Sequence, residues 1–319
     1  MGTNLADELT SLNYYTILTD EEPASVYANA NQRSFRIAEP LQINMEKDSL
    51  HMRFYSPVGI KEVTVMAKSP TMDEYVEFVY IDNIPAFADI KTSIKVLKKG
   101  VYRTESGKVQ QFSAEEMKPA SLSFKIACKD PYWTKISRIK AKWYIKFVLN
   151  GGDPVTGVPN KNWRGIRPVH CREAVALFLN IGYMCTLEKF QQRVSTFQGI
   201  FLDNNRYPVD TSTLISRLEN LSGFDIGLIY SGNGVSGLGG GRTWGVYQKS
   251  FLYHYENSGG CCSTIFHELG HCLGYSHNST MTYGQWASGC ADVFYKNNIK
   301  DFPVNSHTIL KSRSNPNIY

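Results

Sequence analysis

The sequence of 319 residues has no long uninterrupted apolar run. Its longest candidate, residues 174–185, is interrupted by Asn180, whereas a membrane-spanning helix needs about 20 consecutive apolar residues. We therefore expect no transmembrane segment. The first residues also lack the basic head and apolar stretch of an export signal, so the chain is expected either to be cytosolic or to have lost that signal.

The sequence also has little excess of either charge. It contains 34 Lys and Arg against 29 Asp and Glu, a net charge of +5 and a pI near 8.7. Domains dedicated to nucleic acids carry a much larger basic excess, so no nucleic-acid partner is expected. With 42% hydrophobic and 20% charged residues the composition is that of a globular protein, and the length predicts two domains.

Cysteine pairs of the CxxC type are absent. Six of the seven cysteines lie in the second half of the chain, and the odd number excludes a complete set of pairs. The sequence predicts one or more disulfides in that half but does not reveal their pairing. Disulfides form in oxidising compartments, which favours an exported protein.

Residues 1–150 are predicted to form β-structure. Several short segments are rich in β-branched and aromatic residues and partly alternate between apolar and polar positions. They are residues 41–45, 63–66, 75–80, 122–126 and 143–148. This pattern indicates an antiparallel β-sandwich. Three roles remain open for it: an accessory domain, a pro-domain that blocks a cleft (with Cys128 considered as a latent zinc ligand), or a structural partner.

A cluster of glycine and proline at residues 150–160 predicts the domain boundary. Beyond it, residues 151–319 combine helical spacing with a buried strand at 225–230, which makes the fold class α+β. The predicted helices are residues 172–183, 187–197 and 212–221.

The most informative segment, residues 267–277, has the pattern HExxHxxGxxH. His267 and His271 are one helical turn apart, so both imidazoles can reach one ion, and Glu268 lies about 60° around the helix from His271. Gly274 can end the helix at positive φ and return the chain, which brings in His277. Three histidines leave one coordination position open, as in a catalytic rather than structural zinc site, so one catalytic Zn²⁺ is expected.

The neighbouring residues support a helix here. Ile265, Phe266 and Leu269 are spaced to pack on the core, and Ser263 or Thr264 is the expected N-cap.

The motif resembles the signature of the metzincin clan of zinc endopeptidases, in which a methionine turn follows the third histidine. The candidate turn here is Met281, which only three residues separate from His277, a shorter connection than in several metzincin families. Its S-x-M-x-Y pattern is similar to that of astacin-like and serralysin-like enzymes. That similarity implies that Tyr283 ligates zinc at rest and then stabilises the transition state; a merely packed aromatic is the alternative.

The resemblance implies a metzincin-like catalytic domain, with a mixed sheet and an active-site helix, over residues 151–319. It implies an endopeptidase that hydrolyses peptide bonds of protein or peptide substrates, with a zinc-bound water activated by Glu268. The alternative is a secreted zinc-containing binding or adhesion protein with little catalysis. Because exposed proteolysis inside a cell is hazardous, secretion or surface location is expected.

The glycine-rich stretch at residues 232–241 contains G-x-G-x-x-G, but no helix is expected after it, which argues against a dinucleotide site. In metzincins the strand before the active-site helix is a sheet edge that lines the cleft. The resemblance therefore implies a substrate-binding edge strand, where an extended peptide can pair by β-augmentation; a flexible hairpin is the alternative. The predicted edge residues are Gly239, Gly240, Gly241, Arg242, Thr243 and Trp244.

Overall fold

A computed structural model describes residues 7–9, 12–46, 49–93, 100–113, 116, 118, 121–149, 151–255 and 261–312. The chain divides into two compact units. The first comprises Met1–Ile17 and Pro40–Thr134, and the second comprises Leu18–Glu39 and Lys135–Tyr319. This division lies before the one predicted at residue 150, which is itself outside the described residues.

The described part of the chain contains strands and helices in an α+β arrangement. The strands are β1 (Asp7–Leu9), β2 (Tyr14–Thr16), β3 (Ser34–Arg36), β4 (Leu41–Glu46), β5 (Ser49–Phe54), β6 (Ile60–Lys68), β7 (Val76–Ile84), β8 (Ala88–Ser93), β9 (Gly100–Arg103), β10 (Val109–Phe112), β11 (Ser123–Cys128), β12 (Tyr144–Leu149), β13 (Trp163–Arg164), β14 (Gly223–Ile229), β15 (Gly237–Gly240) and β16 (Thr243–Tyr247). The α-helices are α1 (Ala24–Tyr27), α2 (Pro131–Ile136), α3 (Pro168–Cys185), α4 (Glu188–Ser195), α5 (Thr211–Glu219), α6 (Gln248–Tyr253), α7 (Cys261–Cys272) and α8 (Val293–Asn298). A π-helical segment, Gln285–Asp292, precedes α8.

The first unit contains two four-stranded sheets, β2-β8-β5-β4 and β1-β7-β6-β11, and the hairpin β9–β10. Every described pair in it is antiparallel except β1 with β7, so the expectation of purely antiparallel sheets is wrong for that pair. Alternation determines which face is buried: Leu50, Met52 and Phe54 of β5 are inaccessible, whereas His51 and Arg53 between them are partly exposed.

The second unit contains a mixed sheet with the order β15-β16-β14-β12-β3, to which β13 adds beside β14. The three central strands are parallel, and β15 and β3 run antiparallel to their neighbours at the two edges. Because β12 pairs with both β14 and β3, residues 144–149 belong to the second unit. This pairing is the reason that the predicted boundary was too late in the chain.

Helix α3 forms the centre of the second unit's core. Its Phe178 side chain contacts three buried rings, those of Trp143, Phe224 and Trp244, with centroids 4.9–6.0 Å apart. Burial of several large aromatic rings is the main driving force for such a core. The three predicted helices of this half are present as α3, α4 and α5, with bounds that differ by one to four residues.

The predicted disulfides are not found among the cysteines whose pairing the structure describes. Cys128, Cys171, Cys185, Cys272 and Cys290 are free thiols. Burial raises the pKa of Cys272 and Cys290 to about 12, so these two thiols stay protonated at neutral pH.

Within the described ranges, none of the helices combines the length and the apolar character required to cross a bilayer.

Candidate metal centre

Helix α7 carries His267, Glu268 and His271, the first three fixed residues of the motif. Ile265, Phe266 and Leu269 are fully buried, as their spacing predicts, and they attach one face of the helix to the core. The helix begins at Cys261, before the expected N-cap, so Ser263 and Thr264 lie within it and line a cleft instead.

The three motif histidines converge. Nε2 of His271 lies 3.1 Å from Nε2 of His267 and 3.0 Å from Nε2 of His277. The ligand atoms of all three residues lie within 4.8 Å of one another. The fold therefore brings together the three side chains that the sequence predicts as zinc ligands.

Backbone carbonyls determine the tautomers of the two helical histidines. Nδ1 of His267 donates to the Thr282 carbonyl at 2.6 Å, and Nδ1 of His271 donates to the Tyr275 carbonyl at 2.7 Å. A carbonyl oxygen can only accept, so each Nδ1 carries the proton and each Nε2 presents a lone pair. Two lone pairs that face each other at 3.1 Å repel unless a cation lies between them.

These donors fit a zinc ion. Two nitrogens bound tetrahedrally to one zinc, each at about 2.0–2.1 Å, are separated by roughly 3.3 Å. The observed separations of 3.0 and 3.1 Å are close to that value. Burial lowers the pKa of His267 to about 4 and also lowers the pKa of His271, so both imidazoles are neutral at pH 7, as metal ligands must be.

Glu268 lies beside the three histidines. Its side chain is almost completely buried, and Oε1 is 3.9 Å from Nε2 of His267. Burial raises the pKa of this carboxyl to about 8. A carboxylate in such surroundings is a stronger base than an exposed one, which suits it to accept a proton near neutral pH.

The turn that follows α7 has the predicted conformation. Gly274 adopts φ +90°, and its N–H donates to the His271 carbonyl at 2.9 Å. The N–H of Tyr275 donates to the Gly270 carbonyl at 3.1 Å, which completes a Schellman motif. This turn reverses the chain toward the helix and places His277 beside the other two histidines.

Met281 is completely buried and lies against α7. A Cβ atom on Gly270 would overlap the Met281 carbonyl, so only glycine permits this approach. Sequence reasoning did not single out Gly270, although a glycine inside an otherwise good helix was a usable signal.

Tyr283 lies at the mouth of the site. Its ring centroid is 4.3 Å from that of His267 and 4.9 Å from that of His277, and the residue is 57% exposed. Because the ring packs on both imidazoles, the alternative of a merely packed aromatic at this turn stays open. A catalytic role for its hydroxyl stays a prediction.

A cleft of about 540 Å³ opens above the histidines. One wall is the segment 234–239, and Tyr283 and the π-helical residues Ala287 and Ser288 line it from other elements. Among the described residues that line the cleft, Glu268 is the only Asp, Glu, Lys or Arg. Apart from Glu268 and the three histidines, the lining consists of glycines, aliphatic side chains and hydroxyl groups.

Within the part of the chain that the structure describes, β15 is the sheet edge beside the cleft and pairs only with β16. Its residues Gly237 and Gly239 lie directly against Glu268, because a Cβ atom on either would overlap that residue. Two glycines therefore let the edge strand approach helix α7. Of the predicted edge residues, Gly239 and Gly240 lie in β15, and Gly239 also lines the cleft.

The prediction of an edge strand is wrong for the last four residues. Gly240 pairs with Thr243, so Gly241, at φ +54°, and Arg242 form the two-residue turn of a hairpin, which was the alternative to an edge strand, and Thr243 and Trp244 return in β16. Thr243 and Trp244 belong to β16, inside the sheet, and Trp244 is fully buried. Arg242 forms an ion pair with Asp225 at 3.1 Å.

In comparisons with known protein families, curated proteins and solved structures, no match to this chain was found.

Proposed function

We propose that this chain is a zinc-dependent endopeptidase whose second unit is metzincin-like. The observation that carries the proposal is the convergence of three imidazole nitrogens beside one buried carboxylate, at the base of a cleft that a sheet edge borders. The glycine turn and the buried Met281 beneath the helix support it, because the metzincin signature contains both features.

His267, His271 and His277 would hold one zinc ion. A bound zinc with three protein ligands lowers the pKa of a water molecule to about 7 and polarises a substrate carbonyl. The Thr282 and Tyr275 carbonyls keep two of the three rings in the ligating tautomer.

Glu268 acts as the general base. Its carboxylate accepts a proton from the attacking water while the water oxygen bonds to the scissile carbonyl carbon. It then passes that proton to the amide nitrogen as the C–N bond breaks, which returns the carboxylate to its starting state. Tyr283, at the cleft mouth, donates a hydrogen bond from its hydroxyl group to the developing oxyanion.

Protein or peptide substrates lie extended along β15, whose outer edge has no partner strand within the described sheet. Because Glu268 is the only carboxylate on the described walls and no Lys or Arg is present, uncharged side chains flanking the scissile bond fit best. An endopeptidase of this kind acts outside the cell, either secreted or at its surface.

The direct experiment measures the zinc content of the purified full chain and its cleavage of a mixed peptide library, with and without a chelator. We expect about one zinc per chain and cleavage that the chelator abolishes. Glu268→Gln keeps the zinc and lowers the rate by about 10²–10⁴-fold, the usual contribution of a general base. His267→Ala loses the zinc as well.

The control variant is Glu188→Gln, which removes an exposed carboxylate on α4 and leaves cleavage unchanged. Zinc without cleavage would instead support the zinc-containing binding or adhesion protein. A chain that binds no zinc would contradict both functions.

A further inference from the structure

A short loop, residues 202–206, lies beside the turn that carries His277; we call it the bracing loop. Its Asn204 side chain makes two hydrogen bonds to that turn: Oδ1 accepts the Ser276 N–H at 2.6 Å, and Nδ2 donates to the Gly274 carbonyl at 3.0 Å. Nη1 of Arg206 donates to the Asn278 carbonyl at 3.1 Å. The loop thus holds the main chain on both sides of the third ligand.

The start of the bracing loop is bonded to the same turn at Thr280 and attached to the core through the residue before it. Leu202 and Thr280 exchange two hydrogen bonds: the Leu202 N–H donates to Thr280 Oγ1 at 2.8 Å, and the Thr280 N–H donates to the Leu202 carbonyl at 3.0 Å. The preceding residue, Phe201, is fully buried and packs edge-on against Trp286 at 5.9 Å. The loop therefore has a rigid base.

The shape of the loop is also determined internally. One carboxylate oxygen of Asp203 accepts the N–H groups of Asn205 at 2.8 Å and Tyr207 at 2.9 Å. This Asx-type turn closes the loop and presents Asn204 between its two ends. Asn204 is therefore held in place before any ligand arrives.

His277 depends on such support more than the other ligands do. His267 and His271 lie on a helix, and each ring donates to a backbone carbonyl. In the described structure the ring of His277 makes no hydrogen bond to the backbone, and the residue is exposed. Its imidazole packs on the rings of His271 and Tyr283, and its position otherwise follows from the main chain of residues 274–280.

Building on the proposed zinc site, we infer that Asn204 is a positioning residue for the third ligand. A carboxamide offers a donor and an acceptor on one side chain, so Asn204 can hold the Gly274 carbonyl and the Ser276 N–H together. Those two groups flank Tyr275, two residues before His277, and their separation determines where the turn places the imidazole. A zinc site with a poorly held third ligand loses affinity.

The test compares zinc affinity in Asn204→Ala and in the wild-type full chain, measured by competition with a chromogenic chelator for Zn²⁺. Removing a residue that holds a metal ligand without touching the metal typically weakens metal binding by about 10–100-fold. We expect zinc affinity to fall roughly tenfold here, because the two hydrogen bonds of Asn204 are exposed. The visible absorption of the cobalt-loaded variant should change too, since it reports ligand geometry. Asn205→Ala is the matched control, because no hydrogen bond of its side chain to the turn is found in the described structure, and it keeps wild-type affinity.

The unfolding temperature of the metal-free variants separates positioning from general support. We expect Asn204→Ala and Asn205→Ala to unfold at similar temperatures without metal. Wild-type zinc affinity in Asn204→Ala overturns the inference, and so does an affinity loss accompanied by an unfolding temperature well below that of Asn205→Ala. Failure of the wild-type chain to bind zinc rejects the proposed function itself.

Discussion

The candidate site is built from two regions of different character, helix α7 and the turn segment of residues 274–283. The helix supplies two ligands and the carboxylate from one continuous element, whose geometry places residues four apart on the same face. The turn segment supplies the third ligand, the methionine and the tyrosine without regular secondary structure. Each region therefore needs a different kind of support.

The difference shows in the hydrogen bonds. Within α7, main-chain bonds set the relative positions of His267, Glu268 and His271, and the apolar face buries the helix against the core. The turn segment depends instead on side chains such as Asn204 and Thr280, several of them exposed. We therefore expect the helical half of the site to tolerate surface substitutions better than the turn half.

The largest effect is expected where the two regions meet. Gly270→Ala should stabilise an isolated helix by about 1 kcal/mol, yet its Cβ would overlap the Met281 carbonyl. We expect a net loss of roughly 1–3 kcal/mol, the usual effect of overpacking, together with loss of zinc binding as the turn moves away. Urea unfolding and zinc titration of the full chain measure both quantities.

Gly289→Ala is the matched control for that substitution. Gly289 lies in the π-helical segment, where the nearest atom to a new Cβ is at 3.4 Å, an ordinary contact. It should leave stability and zinc binding near wild-type values. A stabilised Gly270→Ala chain that still binds zinc would show that the close contact between helix and turn is unimportant.

The next largest effect tests the catalytic contribution of the turn segment. If the hydroxyl of Tyr283 stabilises the oxyanion, Tyr283→Phe should lower kcat by about 10–100-fold with little change in KM, somewhat less than loss of a buried oxyanion donor. Steady-state cleavage of one library-derived peptide measures it. Tyr15→Phe, at an 83% exposed tyrosine in the first unit, is the control. Unchanged turnover in Tyr283→Phe would leave the helix as the only catalytic region.

The smallest effect separates backbone strain from ligand placement. Gly274→Ala and Gly199→Ala both put a side chain at positive φ, +90° and +79°, where a Cβ would meet no atom within 4 Å. Each should lose about 1 kcal/mol of stability. Only Gly274→Ala should also weaken zinc binding, because His277 follows three residues later. Equal zinc affinity in the two variants would argue against the role assigned to this turn.

Local patterns predicted much of this molecule. The strands at residues 41–45 and 63–66, the helices α3 to α5 and the turn at Gly274 follow from alternation, helical spacing and the conformational freedom of glycine. Such features depend on residues close together in the chain, which is why a single sequence reveals them.

Features that depend on distant pairing were missed. Strands β3 and β12 pair with each other in the sheet of the second unit, so the boundary between the units lies earlier in the chain than predicted. Which sheet a strand joins depends on the partner strand that the fold offers it. The edge position of β15 depends on the reversal at Gly241 and Arg242, a hairpin that the glycine-rich stretch offered only as the alternative to a longer edge strand.

The sequence by itself determines how the two helical histidines and the glutamate are arranged on α7, because helical periodicity decides which side chains share a face. The tertiary structure decided which backbone carbonyls orient the rings of the two helical histidines. It also decided which glycines let the edge strand and the methionine turn approach α7. Finally, it brought Asn204 to the turn before His277, some seventy residues further along the chain. Hydrogen bonds and close contacts between remote segments exist only once the chain has folded, and no local pattern encodes them.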